Sequence, residues 1–247
     1  MSSNFYQQAA WFCAILERYV LSVFYLAYAV AYVLMTRELF LPGPAWVNAD
    51  YAQFAQDASM FLLLLFEGGT LLFGRRAVTT PRNMEELVVP IVTSFFYLTY
   101  TYLGALPEWM YGNVAPDKWQ WPLQFTGLGL DTLGTLISVW GVIYLGRSFG
   151  IFVAVRKVVM RGPYRFVRHP IYCGYLFMFA GLALSYFTPL VFVLVGIHYW
   201  LFIYRARLEE ARLAEYSPAY QEYMKGAGFM LPKIFGQKRP AAGADGN

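Results

Sequence analysis

The fourteen residues from Arg161 to Gly174 gather Arg161, Arg165, Arg168, His169, Pro163, Pro170, Tyr164 and Tyr172. A guanidinium holds carboxylate or phosphate through a planar fork, and an imidazole exchanges a proton near neutral pH. Pro163 and Pro170 each push the preceding residue out of the helical region, so the stretch reads as a shaped turn, with Pro170 at the first position of a helix. The free amides of a helix start attract anions, and His169 and Tyr172 flank that start. Farther along the chain, Glu209 and Glu210 stand side by side. A pocket with Arg168 and His169 on one wall and two carboxylates on the other suits a zwitterionic ligand. A carboxylate also accepts hydrogen bonds from ribose hydroxyls. Plainer readings stand beside these: Arg161 and Arg165 serving only membrane orientation, and the two glutamates forming a solvated face or pairing with Arg205 and Arg212.

The elements that must position these residues are membrane helices. The chain has 247 residues, 58% hydrophobic and 14% charged, with mean hydropathy +0.42. Soluble domains carry about 25% charge, and the 19% aromatic content suits interfacial belts. We expect an all-α polytopic protein with six spans at residues 18–36, 57–74, 87–106, 123–146, 171–187 and 189–206. A crossing takes about 20 helical residues; the last two spans are shorter and, joined by Thr188-Pro189, read as a helical hairpin. If the N-terminus is cytoplasmic, every Lys and Arg except Arg37 and Lys118 falls in a cytoplasmic segment. That asymmetry is the positive-inside signal rather than a nucleic-acid patch. It places both termini and the Arg161–Gly174 stretch on the cytoplasmic side, in a multi-pass protein expected in a bacterial inner membrane.

Residues 1–122 read as N-terminal helices facing lipid and substrate, 123–235 as the core that bears the pocket, and 236–247 as a disordered tail. The first residues lack the charged segment of a cleavable signal, so the first helix is expected to be retained. Cys13 and Cys173 are too few for a disulfide framework or a metal site. Ser217-Pro218 starts a short helix on which Tyr216, Tyr220 and Tyr223 form one stripe, expected to fold back on the polar stretch along the membrane surface.

Gly162 to Gly174, then a helical hairpin, then Glu209, Glu210 and Leu213, then Tyr220 and Tyr223, and finally Leu231-Pro232, resembles the isoprenylcysteine carboxyl methyltransferase family and the phospholipid N-methyltransferases that share its scheme. The resemblance covers about residues 123–232. It implies S-adenosylmethionine bound at the cytoplasmic ends of the last helices, with a lipophilic or small-molecule acceptor entering from the membrane lipid. It implies that His169, Pro170, Tyr172 and Gly174 shape the cofactor pocket, that Glu209 and Glu210 hold polar groups of the cofactor, and that Arg168 orients an acceptor carboxylate or phosphate. Methyl transfer from a sulfonium is an in-line displacement that asks mainly for alignment and exclusion of water, so neither a metal nor a hydrolytic triad is expected. An amine acceptor needs a base, for which His169 or Glu210 is suited. The family often has an arginine shortly before its final proline; residues 225–232 contain Lys225 and no arginine.

Gly127-Leu128-Gly129 resembles a cofactor-associated GxG, yet at 1.5 Å per residue Gly129 lies about 27 Å from the inner end of its helix. A close helix crossing through small residues is the reading that fits. Glu67, Asp131 and His198 are ionisable groups inside apolar spans and so functional candidates; Glu67 reaches the pocket or pairs with Arg75 or Arg147, and His198 reads as a hydrogen-bonded structural residue. Two other functions are compatible with these residues: an NADPH-dependent reductase of sterol or isoprenoid double bonds, a superfamily with a similar Arg-His-Pro-x-Tyr segment, and a non-catalytic membrane protein of the same fold.

Overall fold

The computed structural model describes residues 11–35, 51–101 and 106–233, so the 236–247 tail lies outside the described residues. Among those described the chain is helical, with a single isolated β-bridge between Val167 and Gly228. A π-helical stretch Leu16–Leu21 leads into α1 (Ser22–Met35), followed by α2 (Tyr51–Leu72), α3 (Met84–Phe95), α4 (Asp117–Leu145), α5 (Pro170–Tyr186), α6 (Pro189–Tyr216) and α7 (Pro218–Gly226). Three helices are long and apolar enough to cross a membrane, at Trp11–Ala31, Asp117–Ser148 and Pro189–Tyr216, with shorter apolar helices at Ala58–Leu72 and Pro170–Tyr186. The span expected at 87–106 differs: α3 holds Pro90 and stops at Phe95, and one further helical turn occupies Leu98–Thr101. A proline inside a helix removes a backbone hydrogen bond and crowds the preceding turn.

The helix starts follow from local chemistry. The Asn83 side chain accepts from the Glu86 amide to open α3, and that of Thr188 accepts from Val191 to open α6, with Pro189 in the first turn. Ser217 caps α7 in the same way, with Pro218 in its first turn.

α4 and α5 cross closely through glycines. A Cβ on Gly127 would lie 2.6 Å from the Gly181 carbonyl oxygen, one on Gly134 2.7 Å from the Met178 nitrogen, and one on Gly174 2.8 Å from the Ser138 nitrogen. Nothing lies within 4 Å of the corresponding position on Gly129. The GxG therefore belongs, through Gly127, to a helix crossing driven by close packing of backbones. α2 packs between α1 and α4, and α6 packs on α5 and α3.

Between α4 and the polar turn runs a non-helical strap, residues 149–161. Ile151, Phe152, Val153 and Val155 are buried. The Ile151 and Phe152 amides donate to the Glu17 carboxylate at 2.9 and 2.7 Å, and Arg156 pairs with the same group. Val78 donates to the Val155 carbonyl at 2.7 Å, and Val155 to the Thr79 hydroxyl at 2.9 Å. The strap is a loop only by conformation; these bonds satisfy buried backbone groups that no helix serves.

Candidate active site

The turn that precedes α5 is held from three directions. Gly162 has φ +60°, and a Cβ there would run into the Tyr144 ring, so the left-handed turn and the close approach both call for glycine. Tyr223 on α7 donates its hydroxyl to the Tyr164 carbonyl at 2.5 Å, and burial keeps that phenol well above its ordinary pKa and so a donor. Arg168 and His169 donate their backbone amides to Gly228 and Phe229 at 2.8 and 3.1 Å, which stitches the last described residues to the turn. Of the stripe, Tyr220 and Tyr223 are buried against the turn while Tyr216, the last residue of α6, is exposed.

Arg168, His169, Glu209 and Glu210 come together, but not as facing walls of an open pocket. Arg168 pairs through Nε with Glu210 and places its second fork nitrogen 3.4 Å from the other carboxylate oxygen. Its remaining amino group donates to the Met224 and Ala227 carbonyls at 3.0 and 2.7 Å, and the guanidinium lies over the Phe229 ring. Arg168 is thus engaged with protein, a clamp joining the turn to α6 and α7 rather than a free fork for an acceptor. His169 donates Nε2–H to Glu210 at 3.2 Å. Burial pushes the Glu210 carboxyl up, but the hydrogen bonds from His169 and Arg168 outweigh it and hold the group below its ordinary value.

Beside this unit opens a cavity of about 360 Å³. Its polar end is formed by Arg168, His169, Tyr172 and Glu209, and its deeper part by Glu67, Tyr97 and Phe179. Tyr172 donates to Glu209 at 2.5 Å and stacks on the His169 ring, centroids 5.4 Å apart and planes 8° apart. Arg205 donates to Glu209 at 3.0 Å, to Ser94 at 2.9 Å and to the Ile151 carbonyl at 2.8 Å, and it packs over the Tyr172 ring. Its charge, counted above with the orientation signal, is buried and internal. The pairing of Glu209 with Arg205 is therefore real, and Glu209 still faces the cavity. Pro170, Gly174 and Glu210 do not line it: Pro170 opens α5, Gly174 meets α4, and Glu210 backs His169.

The intramembrane groups also find places. Glu67 lines the cavity and accepts a hydrogen bond from the Tyr175 hydroxyl, instead of pairing with Arg75 or Arg147. His198 donates Nε2–H to the Thr93 carbonyl at 3.1 Å inside a cage of aromatic rings, and Asp131 lines the cavity. Arg161 and Arg165 are exposed. What the residue pattern did not reveal is the strap, with Glu17 and Arg156, and Phe229 edge-on to His169 at 5.2 Å. A glutamate at the edge of an apolar span was the available signal for Glu17. Among the described residues there is no cluster of side chains able to hold a metal ion.

Residues 123–218 match the model of the phospholipid methyltransferase family. The chain is 28% identical over 185 residues to a probable protein-S-isoprenylcysteine O-methyltransferase of Oryza sativa subsp. japonica, covering 70% of this chain and 93% of the relative. It is 29% identical over 124 residues to protein-S-isoprenylcysteine O-methyltransferase B of Arabidopsis thaliana, covering 47% and 63%. It is 26% identical over 164 residues to methanethiol S-methyltransferase 2 of Bradyrhizobium diazoefficiens, covering 59% and 61%.

Proposed function

We propose, from the match of residues 123–218 to the phospholipid methyltransferase family and the likeness to isoprenylcysteine methyltransferases, that the chain methylates a hydrophobic or amphiphilic acceptor from S-adenosylmethionine within its membrane. The observation that carries this reading is the continuity of the cavity, from a polar end at His169, Tyr172 and Glu209 to an apolar interior among the helices. The acceptor classes in play are an isoprenylcysteine-like carboxylate, a phospholipid amine and a thiol.

The residues present fit the cofactor by the chemistry of their donor set. Glu209 offers carboxylate oxygens to ribose hydroxyls, Tyr172 and His169 offer stacked aromatic faces to the adenine or the sulfonium, and the Glu209 carboxylate balances a positive charge. When bound, S-adenosylmethionine supplies a methyl group already activated by its sulfonium. The work left to the protein is alignment and exclusion of water. Glu210 holds the His169 ring, Arg205 holds Glu209, and Glu17 keeps the buried strap closed over the cavity. The polar end is assigned to the cytoplasmic face of a bacterial inner membrane, with α1–α6 as six membrane-embedded helices and both termini cytoplasmic.

Calorimetry of the detergent-purified chain with S-adenosylhomocysteine and with NADPH tests this. Binding of the homocysteine product alone is expected, weakened at least tenfold by Glu209→Ala. Binding of NADPH alone would favour the reductase reading, and binding of neither would refute the proposal.

A further inference from the structure

The cap of α5 and one face of its first turns carry three rings about a helical turn apart, and each ring bonds a carboxylate: His169 to Glu210, Tyr172 to Glu209, Tyr175 to Glu67. The ring centroids run 5.4 Å from His169 to Tyr172 and 6.2 Å from Tyr172 to Tyr175. Three residues of helix rise about 4.5 Å, so Tyr175 holds Glu67 roughly one turn deeper than Tyr172 holds Glu209. The two inner carboxylates differ in their partners. Glu209 is bound by both Arg205 and Tyr172, whereas Glu67 accepts the Tyr175 hydroxyl. Glu67 is 6% exposed and lines the cavity. A carboxylate in an apolar helix is costly to keep and is a functional candidate by default.

We propose that Glu67 is the group that takes the proton of the acceptor, and that the acceptor is therefore a protic nitrogen or sulfur nucleophile rather than a carboxylate. This rests on the reading that the sulfonium donor occupies the Glu209 end. In the step, the acceptor atom forms a bond to the methyl carbon while the carbon–sulfur bond of the sulfonium breaks. The sulfur keeps the bonding pair and becomes a neutral thioether, and the acceptor's proton passes to Glu67. The positive charge of the sulfonium and the negative charge of Glu67 vanish together, which a low-dielectric cavity favours. A carboxylate acceptor has no proton to give and would sit as a second anion beside Glu67. The two arginines nearest the polar end are already engaged, Arg168 by Glu210 and Arg205 by Glu209.

The full chain in detergent is assayed with S-adenosylmethionine and three acceptors: dioleoyl phosphatidylethanolamine, 1-dodecanethiol and N-acetyl-S-farnesylcysteine. Methylation of the amine or the thiol, and not of the farnesylcysteine carboxylate, is expected. Glu67→Gln should lower kcat on that acceptor about 10²-fold, with KM and S-adenosylhomocysteine affinity within threefold of wild type. A thiophenol already ionised at neutral pH should restore most of the lost rate, because it needs no base. If Glu67→Gln no longer binds S-adenosylhomocysteine, Tyr175→Phe replaces it, with an expected tenfold loss of kcat and the same recovery. Methylation of the carboxylate, unchanged kcat in the variant used, no recovery with the thiophenol, or a wild-type protein that binds cofactor and methylates none of the three overturns the inference. Failure of wild type to bind S-adenosylhomocysteine refutes the cofactor reading instead.

Discussion

Replacing Glu210 by alanine removes the carboxylate from a unit whose other members stay behind. The Arg168 and Glu210 side chains are each 10% exposed, so the variant leaves a buried guanidinium without its counter-ion. Removing one partner of a buried pair costs about 3–5 kcal/mol. Arg168 keeps the Met224 and Ala227 carbonyls, which puts Glu210→Ala near the low end, about 3 kcal/mol. For a chain of this size that lowers the melting temperature by roughly 6–12 °C. Arg168→Ala strands Glu210 with only His169 and should cost a similar amount, while the double variant removes both charges. The double-mutant cycle in detergent, read by tryptophan fluorescence on heating, should therefore show about 2 kcal/mol of coupling. The sign of the pH dependence follows from the carboxyl's lowered value. Stability from ionised Glu210 is complete above the ordinary value of 4.5 and is lost as pH falls through the lower folded value. The gap between wild type and Glu210→Ala should accordingly be full at neutral pH and narrow below 4.5. Additivity of the two single variants within about 0.5 kcal/mol would refute the reasoning, as would a gap that widens in acid.

The α4–α5 crossing predicts that Gly134→Ala, whose Cβ would meet backbone atoms of Gly174 and Met178, costs about 1–3 kcal/mol by overpacking. Gly129→Ala, which meets nothing within 4 Å, should melt with wild type and bind S-adenosylhomocysteine unchanged; a binding defect at Gly129 would restore the GxG to the site. Glu17→Ala strips the Ile151 and Phe152 amides and Arg156 of their common acceptor. Trypsin cleavage at the exposed Lys157 should accelerate at least tenfold, and an unchanged rate would mean the strap is held by other contacts.

The helical, membrane-embedded character of this chain was legible in its residues because hydropathy, proline punctuation and capping are local properties. Asn83, Thr188 and Ser217 start their helices by contacts within one turn, and Pro170 by its fixed backbone angle, and both are written in adjacent residues. The turn before α5 and the glutamate pair were legible for the same reason: their residue types and order stand out in an apolar chain. How those groups are employed depended on partners far away in sequence. Arg168 lines the cavity, as its place in the turn suggested, but its guanidinium meets Glu210 and the carbonyls of Met224 and Ala227, so it also holds the fold. Gly174 serves the contact of α5 with α4, because only the packing of two helices decides which face a small residue serves. Glu17 reaches across the chain to Arg156, and Glu67 to Tyr175. No periodicity records such pairings, since a buried carboxylate is satisfied by whichever donor the packed helices bring to it. Sequence determined that a polar site would interrupt a helical membrane protein; tertiary packing decided which charges close upon one another and which are left facing the cavity.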